Sequence, residues 1–104
     1  ADDLIKTSGY RVGPFEIESA ILHHPLVAEA AAIGKPDGMK GQIIKAFVTL
    51  KPGQAKSPNF EQEIQDVVRE RVGNHAFPRE VVVMDVLPKT ESGKIQRFKL
   101  RASG

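Results

Sequence analysis

The chain has 104 residues, 40% of them hydrophobic and 27% charged, with 15 basic and 13 acidic side chains and a net charge of +2. This size supports one small domain with a modest core, and the composition excludes a disordered tail. With no cysteine, disulfides and thiolate metal sites are excluded; no apolar run is long enough to span a membrane, and the first residues lack the basic start and apolar stretch of a signal peptide. The expected location is cytoplasmic. The chain opens without methionine on a strand-like segment, so it is expected to be a piece of a larger protein.

Residues 3–7 and 10–13 read as short strands joined through Ser8-Gly9, a small hairpin. Pro14 then stands where helices accept proline, with Glu16 and Glu18 placed in the first turn against the positive end of the dipole. Ile17, Ile21 and Leu22 form its apolar stripe, and Pro25 stops it. Residues 26–33 are apolar and alanine-rich, and the break at Pro25 favours a buried strand. Pro36-Asp37-Gly38 and Gly41 mark a turn. Residues 43–50 are the clearest strand, with Phe47 and Thr49 on one face and Val48 and Leu50 on the other.

A helix opens at Ser57-Pro58 or Asn59, carries Phe60, Ile64, Val67, Val68 and Val72 at helical spacing, and stops at Gly73. Residues 81–86 read as a third core strand, and residues 95–100 as a last helical turn or two. The order predicts an α+β domain: a small, mostly antiparallel three-stranded sheet with helices on one face, plus the N-terminal β-hairpin.

Little in this inventory can do chemistry alone. His23 and His24 end a helix, where capping is their expected role, and neither they nor His75 fall at metal-ligand spacing with a carboxylate. No serine has a plausible base beside it, and there is no Gly-rich, Lys-Ser/Thr phosphate loop. Gly38-Met-Lys-Gly41 matches the Gly-x-x-Gly loop of KH domains but lies between a strand and a turn, not between two helices.

The charge is uneven. Residues 88–104 hold five basic side chains (Lys89, Lys94, Arg97, Lys99 and Arg101) against one acid, Glu91. Such an end suits an anionic partner such as phosphate, or serves solubility alone. Within it, Pro88-Lys-Thr-Glu-Ser-Gly-Lys-Ile-Gln-Arg97 sets Lys94 just after a Ser92-Gly93 pair that favours a bent, mobile backbone. By composition this is either a solvated basic turn or a loop that carries a cation into a cleft.

Three segments decide between these readings by resemblance. Ala1-Asp-Asp-Leu-Ile-Lys-Thr-Ser-Gly-Tyr-Arg-Val-Gly-Pro-Phe-Glu-Ile-Glu18 resembles the motif that opens the C-terminal domain of the adenylate-forming (AMP-binding) enzymes. His24-Pro-Leu-Val-Ala-Glu-Ala-Ala, then Gly34-Lys-Pro-Asp with Gly41-Gln, resembles its next segment, and Pro88-Lys-Thr-Glu-Ser-Gly-Lys94 its final motif. Lys45-Ala-Phe-Val, Phe77-Pro-Arg and Ile95-Gln-Arg-Phe look most like the medium-chain and aromatic acyl-CoA synthetases.

The resemblance implies that residues 1–104 form the C-terminal lid of an acyl-CoA synthetase whose N-terminal ATP- and acyl-binding domain is absent from this chain, leaving the fragment inactive alone. It implies a two-step reaction of ATP, a carboxylic acid and CoA through an acyl-adenylate, with Mg2+ accompanying ATP on the missing domain. Lys94 would be the adenylation lysine, carried on a mobile loop of Thr90, Ser92 and Gly93. Asp2 would be the hinge. Ser8, Gly9, Tyr10 and Arg11 would form the loop facing the thioester step, with Lys40 and Arg69 touching CoA phosphates. Phe77 departs from the family by standing where relatives often carry tyrosine. The partners implied are the N-terminal domain, ATP and AMP, the acid and CoA, with no nucleic acid and no membrane span. The rival readings are an adenylation domain loading a carrier-protein thiol, or a stand-alone basic α+β module binding RNA or protein.

Overall fold

A computed structural model describes residues 3–39 and 41–103. The N-terminal strands are β1 (Ile5–Thr7) and β2 (Tyr10–Val12), an antiparallel hairpin with Thr7 opposite Tyr10. Helix α1 (Pro14–Ile21) starts on Pro14 after the extended Gly13, as the fixed φ of proline favours. Two long strands follow, β3 (Val27–Asp37) and β4 (Gly41–Leu50), paired antiparallel over almost their whole length. Helix α2 (Phe60–Arg71) has Glu61 and Glu63 in its first turn and Arg69 and Arg71 in its last, matching the dipole at both ends. A short 3-10 turn at Asn74–Ala76 leads to β5 (Glu80–Val83), and α3 (Arg97–Ala102) closes the chain.

The α+β reading holds, with three details added by tertiary structure. The hairpin is not separate: β1 joins β4 through Thr7 and Gly41, so the described residues form one five-stranded sheet. The third core strand is shorter than expected and runs parallel to β4, Val81 beside Ala46 and Val83 beside Val48. Last, α1 and α2 cover one face of the sheet as expected, but α3 and the segment before it cover the other.

Strand alternation explains this last point. Ala30 and Ala32 of β3, with Ile44, Ala46 and Val48 of β4, pack with Ile17 and Ile21 of α1 and with Phe60, Ile64 and Val68 of α2. The opposite faces of the same strands, Ala31, Ile33 and Phe47, bury Leu87 and Leu100. A sheet buried on both faces has apolar runs without polar alternation, which is why residues 30–33 are apolar throughout. Leu22, assigned to the stripe of α1, instead lies half exposed beyond the helix end.

Two further expectations are corrected. Of the two acids expected in the first turn of α1 only Glu16 is there; Glu18 lies beyond it and is buried, its Oε2 accepting the outward N–H of Ala32 on the sheet's edge strand at 2.8 Å. His24 is no helix cap either. Its buried ring accepts Leu26 N–H on Nδ1 at 3.1 Å, so Nε2 carries the proton donated to Glu63 Oε1 at 2.7 Å. The His24–Glu63 bond clips α2 to the entry of β3, and Ser57 Oγ, just before α2, donates to the same Glu63 oxygen at 2.8 Å.

Candidate functional site

Residues 88–97 fold into a tight hairpin. Lys89 and Ile95 form an antiparallel bridge, Thr90 N–H donates to the Lys94 carbonyl at 2.8 Å, and Lys94 N–H donates to Thr90 Oγ1 at 3.1 Å. Gly93 N–H closes the turn onto the Thr90 carbonyl at 2.9 Å, with Gly93 at φ +89°, and the Thr90 and Ser92 hydroxyls lie 3.0 Å apart. The bend expected at Ser92-Gly93 is present, and its backbone is bonded across the turn. At its tip Lys94 is exposed, and its ammonium has no hydrogen bond or ion pair among the described residues.

The cations around it are engaged differently. Lys89 Nζ pairs with Glu29 on β3, and Glu29 also accepts Thr49 Oγ1 from β4. The Arg97 guanidinium grips Glu18 with both arms, Nε to Oε2 at 2.8 Å and Nη2 to Oε1 at 2.6 Å. Asp3 takes Arg97 Nη1 at 3.4 Å and Arg101 Nη1 at 2.9 Å. The hydrogen bond from Arg101, aided by the charge of Arg97, holds the Asp3 carboxyl below its usual range, and Glu18 pushes the Arg97 guanidinium further up. Three of the five basic side chains at this end are therefore neutralised by acids of the domain body. The basic end read from the sequence is, in space, Lys94 unpaired among the described residues at the tip of a braced turn, with Lys99 apart on α3.

The second cluster of expected site residues lies on the hairpin. Ser8 (φ +51°) and Gly9 (φ +83°) are the two loop residues, both in the left-handed region that a two-residue turn of this hand requires. A Cβ on Gly9 would meet nothing within 4 Å, so its backbone is open to a passing group. Arg11 is exposed on β2 opposite Lys6. Tyr10 stacks on His75, ring centroids 4.4 Å apart and 23° between planes.

Between this hairpin and the segment carrying His75, Phe77 and Arg79 lies a cavity of about 390 Å3. The Arg69 guanidinium sits 4.0 Å above the Phe77 ring while bonding Asp66 and Asn74, and Arg79 lies 5.0 Å from the same ring. Sequence reasoning missed His75 and Arg79 as site residues and treated Phe77 only as a departure. The available signal was an aromatic-Pro-Arg triplet, but only the parallel docking of β5 on β4 brings it beside Ser8 and Tyr10. Asp2 and Lys40 lie outside the described residues.

The two clusters are braced at opposite ends of β4. The hairpin joins it at Gly41, and Lys89 reaches it through Glu29, which pairs with Thr49. Eight residues of strand separate these points, about 26 Å at the usual rise per residue. No group of three or more His, Asp or Glu among the described residues could hold a metal ion, and no helix among them is long and apolar enough to cross a membrane.

The family model of the AMP-binding enzyme C-terminal domain matches residues 16–94. The chain belongs to that family. It is 52% identical over 101 residues to an acetyl-coenzyme A synthetase of Bacillus subtilis, covering 97% of this chain and 18% of that protein. It is 46% identical to the mitochondrial acyl-coenzyme A synthetase ACSM3 of Mus musculus, again over 97% of this chain and 18% of the relative. Among solved structures, an acyl-CoA synthetase of Brucella canis superposes with a TM-score of 0.93 at 50% identity, covering 99% of this chain and 19% of that one. This AMP-binding C-terminal domain thus spans under a fifth of the length of the relatives it matches.

Proposed function

We propose that this domain is the mobile lid of an AMP-forming acyl-CoA synthetase and serves its two half-reactions with its two clusters. In the first, a carboxylate oxygen attacks the α-phosphorus of ATP and pyrophosphate leaves. Lys94 lies beside both reactants, and its positive charge offsets the negative charge that accumulates at the phosphorus as the oxygen approaches. In the second, the sulfur of CoA attacks the acyl carbonyl carbon and AMP leaves. There the Ser8-Gly9 turn lets the pantetheine arm pass close to the backbone, Arg11 and Arg69 face phosphate groups, and the cavity between Tyr10 and Phe77 flanks the path. Lys40 takes part through its charge.

Rotation about Asp2 exchanges the two clusters over one active site, closing it for adenylation and opening a way in for the thiol. ATP and the acyl group are held by the larger N-terminal domain, and so is the Mg2+ that accompanies ATP. The observation that carries this reading is the isolation of Lys94. Its neighbours Lys89, Arg97 and Arg101 are spent on internal acids, which favours a single placed charge over the distributed stripe that nucleic acid binding uses.

The test is Lys94→Ala in the full-length enzyme, with each half-reaction followed separately. Carboxylate-dependent exchange of pyrophosphate into ATP should be abolished, while thioester formation from supplied acyl-adenylate is largely retained. Equal loss of both half-reactions would refute the assignment. Transfer to a carrier-protein thiol in place of CoA, with adenylation intact, would keep the role of Lys94 and replace the acceptor.

A further inference from the structure

We infer that Lys89 and Arg97 are positioning residues for Lys94, bracing both limbs of its turn so that the lysine is delivered by movement of the whole domain and not by flexing of a loose loop. The inference rests on the adenylation role proposed for Lys94 and adds how that charge is placed.

The limb entering the turn is held by Lys89 on Glu29, and Glu29 is steadied by the Thr49 hydroxyl at 3.4 Å. The limb leaving it is held by the two-armed grip of Arg97 on buried Glu18. The limbs are tied to each other by the Lys89–Ile95 bridge and by Gln96 N–H on the Pro88 carbonyl at 2.9 Å. Leu87 is buried against the second face of the sheet, and Ile95 packs on the same cluster, so the hairpin stands on an apolar footing as well as two ionic ones. The tip, residues 90–94, is the exposed part of the hairpin, between half-buried Lys89 and Ile95. A charge meant to stabilise a transient state is most effective when its position is set beforehand, and displacement of about 1 Å can cost about a hundredfold in rate.

The ion pair of Lys89 is partly exposed and can be broken without leaving a buried charge, so it gives the cleaner experiment. In the full-length enzyme, Lys89→Ala and Glu29→Gln are each expected to slow pyrophosphate exchange about tenfold or more through kcat. The KM for ATP and thioester formation from supplied acyl-adenylate should stay within about twofold. The charge-swapped double variant Lys89→Glu with Glu29→Lys should recover most of the lost rate. Arg97→Lys, which keeps the charge but loses the fork, should fall between wild type and Lys94→Ala in the same assay.

Thermal unfolding of each variant separates placement from folding. Exchange within twofold of wild type in both single variants would overturn the inference, and so would parallel loss in the two half-reactions or failure of the charge swap to restore the rate. None of these results would touch the role of Lys94, which stands or falls with Lys94→Ala.

Discussion

Arg97 and Glu18, 79 residues apart in the chain, meet as a two-armed ion pair with only 19% and 7% of their side chains exposed. The pair joins the start of α3 to α1, and through Ala32 N–H to the edge strand of the sheet. Removing one partner leaves the other charge buried without compensation. Arg97→Ala should therefore lower stability by about 3 kcal/mol, read from the midpoint of urea unfolding. Glu18→Gln, which keeps a polar side chain of similar size, should cost less. A loss below about 0.5 kcal/mol for Arg97→Ala, the size expected of an ordinary surface change, would show that the pair does little to hold α3.

Gly9→Leu separates the two clusters functionally. The folded chain has open space at that Cβ, so the cost to folding is confined to the positive φ, about 1 kcal/mol. In the full-length enzyme the new side chain should obstruct the thiol path and slow thioester formation about tenfold or more, leaving pyrophosphate exchange within about twofold. Equal slowing of both steps would show that Gly9 serves the shape of the hairpin and not the passage of a substrate.

Gly34 leaves room for a side chain from the neighbouring strand. A Cβ there would fall 2.6 Å from Gln42 Nε2, and Gln42 Oε1 accepts Lys6 N–H at 2.8 Å, tying β1 to the sheet. Gly34→Ala should push Gln42 aside and break that tie, lowering stability by about 1 kcal/mol. Amide exchange at Lys6 should accelerate while exchange in α2 follows only the global change. Unchanged protection at Lys6 would mean that Gln42 finds another way to the same donor.

Acid sensitivity follows from two carboxyls. Hydrogen bonds, first from His24 and then from Ser57, hold Glu63 below its ordinary 4.5, and the Arg101 hydrogen bond holds Asp3 below its ordinary 3.8 against an opposing effect of partial burial. Folded, both bind fewer protons than unfolded. The stability they add is thus complete above the ordinary values and is lost as pH falls through the lower folded ones. Melting temperatures taken between about pH 6 and pH 3 should fall with acid, and Glu63→Gln should flatten the curve in that range. A slope identical to wild type would remove Glu63 from the account.

Much of the fold was legible locally. Pro14, the spacing of Phe60, Ile64 and Val68, the alternation across Phe47 and Val48, and the Ser8-Gly9 turn each act through neighbours a few residues away, and each stands where periodicity and turn chemistry put it. The candidate site was legible only as motifs. Lys94 could be named from the motif and the Ser92-Gly93 pair before it, but nothing local showed that Lys89 and Arg97 in the same short segment are paired with distant acids. His24 was misread for the same reason: its partner Glu63 lies 39 residues away, and a histidine after a helix looks like a cap when that partner is unseen.

The sequence by itself determined the element types and the turn chemistry, because backbone propensity and side-chain spacing are short-range properties, while resemblance of three ordered motifs pointed to the family and to Lys94. Tertiary structure alone decided that Lys89, Arg97 and Arg101 are paired with acids of the body, that the sheet is buried on both faces, and that Phe77 and Arg79 stand beside the hairpin. These depend on contacts across the sheet. A pair such as Glu18 and Arg97 leaves no periodic trace in the chain, since what joins its members is burial and charge, and both exist only once the strands between them have packed.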